Sequence, residues 1–145
     1  MTPAPHLRRP PPAILSNLRR AGLTALSAVL LVLAQPPFHA PLLPFLALVP
    51  FSVVLGSLPP GRQGGLQAAQ SGLLFGLVFW GVELVWVPVQ VGAHFSWAYA
   101  GYALLLVLLG GLAGLFAWMV HFLHRNRRVP LVLALPLGWV AVEWV

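Results

Sequence analysis

Residues 66–89 read LQAAQSGLLFGLVFWGVELVWVPV, a run with a single charged side chain, Glu83. As a helix it would be about 36 Å long at 1.5 Å per residue, enough to cross a hydrocarbon layer of roughly 30 Å with some tilt. The rest of the chain offers no polar shell to hide it. The sequence is 59% hydrophobic and 7% charged, whereas about a quarter of the residues of a soluble domain are charged. Eight arginines and two glutamates cannot coat a fold of 145 residues. The solvent for this apolar surface is lipid.

Working outward, four more apolar runs cover residues 21–34, 42–58, 97–123 and 129–145. The expected fold is an all-α integral membrane protein of about five transmembrane helices, preceded by a Pro/Arg-rich cytoplasmic tail over residues 1–20. Proline punctuates the runs, because it lacks the backbone donor that a continuing helix needs. Gln35-Pro36-Pro37-Phe38 ends the first run and makes residues 35–41 an outer turn. Pro59-Pro60-Gly61 ends the second. The first run would rise only about 21 Å, so it draws on residues upstream of Ala21. Val32-Leu33-Ala34 would suit a signal-peptide cleavage site, but four further apolar runs favour a retained signal-anchor.

All eight basic residues stand in three places: Arg8, Arg9, Arg19 and Arg20; Arg62; and Arg125, Arg127 and Arg128. The intervening connections, residues 35–41 and 90–96, carry no charge. Lys and Arg resist translocation, so this alternation predicts a cytoplasmic amino terminus and a periplasmic carboxyl end. The formal charge of +6 is therefore topogenic and directed at anionic lipid. It is not a nucleic-acid footprint, and no nucleic-acid partner is expected.

The chain has no cysteine, which removes disulfides, thiolate nucleophiles and Cys-based metal sites from consideration. His121 and His124 share a helix face but have no acidic or Cys co-ligand nearby, and they read as juxtamembrane residues. No metal or cofactor is expected. The two carboxylates, Glu83 and Glu143, both lie in apolar runs, where an acid is costly unless it faces protein or water. In the expected orientation they occupy the outer half, opposite every arginine, with His39 and His94 as the titratable cations of the outer loops. Trp97, Trp144 and Trp86 suit an interfacial belt. Gly72-x-x-x-Gly76 and Gly110-x-x-x-Gly114 permit close helix approach, a signal common to any Gly-rich membrane helix.

Four segments in order resemble the amino-terminal membrane region of apolipoprotein N-acyltransferases. They are Leu33-Ala34-Gln35-Pro36-Pro37-Phe38; Leu46-Ala47-Leu48-Val49-Pro50; Gly72-x-x-x-Gly76-x-x-x-x-Gly81-x-x-x-x-Trp86-Val87-x-Val89; and Pro136-x-x-Trp139-x-x-x-Glu143-Trp144. Gln35 replaces the family's usual Phe, and Gln90 its usual Ser. The resemblance implies a bacterial inner-membrane, multi-pass protein of lipoprotein biosynthesis. Its partners would be membrane phospholipid, as acyl donor, and a lipoprotein whose amino-terminal amine receives the chain through a Cys thioester. It also implies structural or lipid-cavity roles for Trp86, Pro136, Trp139 and Glu143, and Glu83 joins these candidates as a carboxylate within an apolar run. Family members carry a Glu-Lys-Cys triad in a nitrilase-like periplasmic domain. With no Lys and no Cys, this chain looks like an amino-terminal fragment of such an acyltransferase, inactive alone, with no catalytic residue of its own. The alternative is a small non-enzymatic integral membrane protein, a structural or transport component.

The charge alternation has a direct test. Reporter fusions at Gln63 and Gly92 are expected to give opposite sidedness, with Gln63 cytoplasmic. The same sidedness at both positions would refute the five-span reading.

Overall fold

The computed structural model describes residues 13–36, 42–92, 95 and 97–144; within them, the side chains of Ala13, Phe45 and Glu143 are not described. The described residues form six helices and no strand: α1 (Ala13–Ala34), α2 (Leu43–Ser57), α3 (Arg62–Glu83), α4 (Trp86–Gln90), α5 (Ala98–Asn126) and α6 (Leu131–Glu143). Three stretches are long and apolar enough to cross a membrane, Ile14–Ala34, Arg62–Gln90 and Ala98–Asn126; Leu46–Ser57 and Leu131–Val142 are shorter apolar helices. Val107, Val132 and Leu46 stand well exposed on the outside, as side chains do when their solvent is hydrocarbon. The protein is an all-α membrane protein.

Three helix boundaries differ from the sequence expectation, each for a local reason. The first helix begins at Ala13, so Arg19 and Arg20 lie on helix within what was read as a tail. The run 66–89 is not one helix. It ends at Glu83 and resumes as the short α4, because the ring of Pro88 and its missing N–H are incompatible with helix at Leu84, four residues earlier. The last helix starts at Leu131 rather than Val129, since Pro130, in extended backbone, is its N-cap residue. Residues 1–12, residues 37–41 of the turn expected over 35–41, with His39, and His94 lie outside the described residues.

Helices α3 and α5 form the most extensive pair, and their contact is nearly backbone to backbone. A Cβ added at Gly72 would collide with the carbonyl of Ala113 and lie 2.6 Å from the Ala117 Cβ; one at Gly76 would lie 2.8 Å from the Gly110 Cα. From the other side, a Cβ at Gly114 would sit 3.1 Å from the Ala69 carbonyl. The two Gly-x-x-x-Gly motifs therefore face each other. In lipid there is no hydrophobic driving force between helices, so close van der Waals approach of this kind carries association.

The remaining helices dock on this pair. Phe51, Leu55 and Leu58 of the α2 region join Ala68, Ala117, Val120 and Ala134 in one buried cluster, and Phe51 lies 4.9 Å from Phe75. Helix α6 approaches α5 through Gly138, where a Cβ would be 2.9 Å from Val120 Cγ2. Helices α1 and α2 are joined by the buried Ser27, whose hydroxyl donates to the Ala47 carbonyl and accepts from the Phe51 N–H at 3.1 Å. Ala47 and Phe51 are an i, i+4 pair that would bond each other in an unbroken helix. Pro50, inside α2, has no N–H to give the Leu46 carbonyl, and at the next step the Ser27 hydroxyl contacts both groups.

The glycine contacts make opposite demands at neighbouring positions. Gly72→Ala is expected to destabilise the fold by about 1–3 kcal/mol, the usual scale of overpacking. Gly111→Ala, where an added Cβ meets open space, is expected to be neutral or to stabilise by about 0.5–1 kcal/mol. Reversible unfolding in mixed detergent micelles compares the two.

Candidate functional site

The five residues singled out by the sequence do not form one site. Glu83 is half-buried and ends α3; the Leu84 N–H then bonds the Trp80 carbonyl at 2.9 Å, closing the helix. Trp86 begins α4 and is half-exposed. Tyr102 of α5 donates to the Gly81 carbonyl at 2.6 Å and holds this end of α3 against α5. Pro136 and Trp139 lie on α6, where the Trp139 ring meets Phe116 edge-on with centroids 5.8 Å apart. Between the levels of Tyr102 and Phe116, α5 rises by about 21 Å. Glu83 and Trp86 thus belong to one end of the bundle and Pro136 and Trp139 to its middle. The backbone of Glu143 ends α6, and its side chain lies outside the described residues.

The opposite end, where α2 finishes, α3 begins and α5 turns into α6, carries denser polar chemistry. The Arg125 guanidinium donates to the Gly56 carbonyl. Gly56 lies in the last turn of α2, where carbonyls lack intrahelical donors, so the bond answers a need of the backbone. His124 Nδ1 lies 3.0 Å from the Val129 carbonyl. Arg128 takes a left-handed backbone with φ of 56° as the chain reverses into α6, and the Val129 N–H bonds the Leu123 carbonyl. The Arg127 guanidinium lies 5.7 Å from the Phe122 ring centre.

Helix α3 starts at the same end without a side-chain cap, after Gly61 at φ 88°, a conformation that suits glycine. Gly64 and Gly65 follow because two rings of α5 lie across them. A Cβ at Gly64 would be 2.9 Å from His121 Nε2, and one at Gly65 would be 3.1 Å from Trp118 Nε1. His121 is 2% exposed; its ring lies by the Gly61 backbone, and neither ring nitrogen, nor Arg125 Nε, makes a well-formed hydrogen bond. A pocket of about 420 Å³ opens here. Among the described residues no group of three His, Cys, Asp or Glu side chains stands close enough to hold a metal ion.

Sequence reasoning read His121 and His124 as juxtamembrane residues and missed that His121 is enclosed. In sequence Gly64-Gly65 follows Pro59-Pro60-Gly61 ahead of the run 66–89, where a glycine pair reads as a turn, so the close approach of the His121 ring shows only in the fold. The Ser27 bridge was also missed. Its signal was a hydroxyl within an apolar run together with an internal proline, Pro50, in the next run.

A family model described as the apolipoprotein N-acyltransferase N-terminal domain matches residues 27–145. No curated protein and no solved structure matches the chain. The match begins at Ser27, the bridging residue of α1, and covers all of α2 through α6.

The two arginines of the α5 end separate by what they touch. Arg125→Met removes the donor to Gly56 and is expected to lower unfolding free energy by about 1–3 kcal/mol. Arg127→Met removes only the contact with Phe122, expected to be worth about 1 kcal/mol or less. Both remove one positive charge from the same connection, so a topology effect is common to the two. Denaturant titration of both variants in one detergent reads the difference.

Proposed function

The chain belongs to the apolipoprotein N-acyltransferase N-terminal domain family, and from that membership we propose that it serves as the membrane portion of a lipoprotein N-acyltransferase. In this reading the enzyme moves an acyl chain from phospholipid to the amino-terminal amine of a bacterial lipoprotein in the inner membrane. The observation that carries the proposal is the family match over residues 27–145. The motif residues support it, since they stand at structural junctions: Ala47 and Pro50 beside the Ser27 bridge, Gly72 and Gly76 against α5.

The chemistry has to come from elsewhere. Two-step acyl transfer through a thioester needs a thiolate nucleophile, with a base and a donor to the oxyanion. This sequence has no Cys and no Lys, so the triad belongs to a catalytic domain that this membrane portion supports. We place the arginine-bearing end on the cytoplasmic side and the α3–α4 turn on the periplasmic side, following the distribution of basic residues. With α2 and α6 counted as spans, five helices cross or enter the bilayer, and α6 points toward the periplasm. Glu83, Trp86 and Tyr102 then lie at the level where both lipid-anchored substrates meet the enzyme.

The reading makes a paired expectation. The 145-residue chain, purified alone, forms no thioester with a phospholipid donor and does not acylate a diacylated lipopeptide. Substituted for the corresponding region of an active family member, it restores acylation. A chimera that inserts and folds but shows no transfer would overturn the proposal, as would turnover by the chain alone.

A further inference from the structure

The pocket at the arginine-bearing end continues into a second depression. The first is lined by Gly61, Arg62, Gly65, His121, Phe122 and Asn126. The second, about 360 Å³, runs along the α3–α5 seam past Ala69, Leu73, Gly111 and Leu115. Leu66 and Trp118 line both. The two depressions adjoin, one at the helix ends with Arg62, His121 and Asn126, the other along the bundle and apolar except for Gln70. The apolar part exists because Gly111 puts no side chain into the groove; a Cβ there would meet nothing within 4 Å.

Three independent features of the polar part favour an anion. Helix α3 begins there with no side-chain cap, leaving backbone N–H groups and the positive end of a 22-residue helix directed outward. His121 is enclosed, with the Gly61 backbone as its near polar neighbour and no well-formed hydrogen bond at either ring nitrogen, although buried polar atoms ordinarily find a partner. Arg62 lines the pocket, while Arg125, Arg127 and Arg128 follow His121 on the same chain end. Glu83, the described carboxylate, stands about 31 Å of helix rise from Arg62 at the other end of α3.

We infer that this feature is a binding site for a phospholipid with a net anionic headgroup. Its phosphate would lie at the α3 amino terminus beside Arg62 and His121, and one acyl chain would lie over Leu66 and Trp118 into the groove along Gly111. The apolar continuation is what favours a lipid over free phosphate, since an inorganic ion has no use for it. The arginines and the absence of a nearby described carboxylate favour an anionic headgroup over a zwitterionic one. The site lies at the opposite end of the bundle from Glu83 and Trp86, so it does not rest on the acyl-transfer proposal. Its role is a bound structural lipid that completes the α3–α5 surface.

Native mass spectrometry of the 145-residue chain, released from nanodiscs of mixed phosphatidylglycerol and phosphatidylcholine, tests it. The intact chain should retain one phosphatidylglycerol, in preference to phosphatidylcholine by about fivefold or more, the effect of one arginine at a lipid surface. Arg62→Gln, an exposed position, should reduce retention by about the same factor. Gly111→Leu, which fills open space, should reduce it without changing helix content, and millimolar inorganic phosphate should not displace the lipid. Equal retention of the two lipids would overturn the inference. So would loss in Arg62→Gln without loss in Gly111→Leu, which would mean surface attraction alone. Displacement by inorganic phosphate would show a phosphate site rather than a lipid site.

Discussion

The structure depends on helices α3 and α5 approaching with no side chain between them. Inside a bilayer, apolar side chains gain nothing by leaving lipid for protein, so a helix pair must win on closeness of contact. Gly72 and Gly76 meet Gly110, Ala113 and Ala117, and Gly114 meets Ala69 and Leu73, at distances that leave little or no room for an added methyl group. The same closeness propagates along the seam. Toward the arginine end it lets the rings of Trp118 and His121 lie over Gly65 and Gly64; toward the other it brings Tyr102 to the Gly81 carbonyl. The α2 and α6 side chains that complete the buried cluster all pack on Ala68, Ala117 and Val120 of this pair.

Polar contacts between helices follow a second rule, set by the backbone. In hydrocarbon, a carbonyl or N–H without a partner costs several kcal/mol, on the order of an unmade hydrogen bond in an apolar medium. Three side chains reach across to backbone groups of a neighbouring helix, at a helix end or beside a proline. Ser27 stands at the Ala47–Phe51 step beside Pro50, Arg125 reaches the last turn of α2, and Tyr102 reaches the last turn of α3. Each joins two helices while answering a local need. The fold therefore combines glycine contacts that set distance with side-chain contacts that set register.

Much of this was legible from residue order, and the parts that were not have physical causes. Apolar run length and scarcity of charge were enough for an all-α membrane protein, because bilayer thickness imposes a length scale on the sequence. The two Gly-x-x-x-Gly motifs were visible, but each motif alone does not name its partner; only the folded pair shows that they meet each other. The break at Leu84–Val85 was hidden by hydropathy, since apart from Glu83 the neighbouring residues are apolar, although Pro88 carried the information four residues downstream of Leu84. Among the candidate site residues, Glu83 and Trp86 were neighbours in sequence and remain so in space. Pro136 and Trp139 came from a different motif and lie elsewhere on the bundle. His121 was passed over because a histidine near a helix end reads as interfacial, and its enclosure depends on glycines 57 and 56 positions earlier, Gly64 and Gly65.

The α3–α5 seam can be measured directly, because the chain has no native cysteine to confuse the result. A Cβ at Gly114 lies 3.7 Å from that of Leu73, within the roughly 3.5–4.5 Å that a disulfide spans. Leu73→Cys with Gly114→Cys, oxidised in membranes and mapped by mass spectrometry, should form an intramolecular cross-link in high yield. The pair Leu66→Cys with Gly110→Cys, offset along the seam by two turns or more, should remain reduced under the same oxidant. Cross-linking of the offset pair, or none at Leu73 and Gly114, would contradict the account.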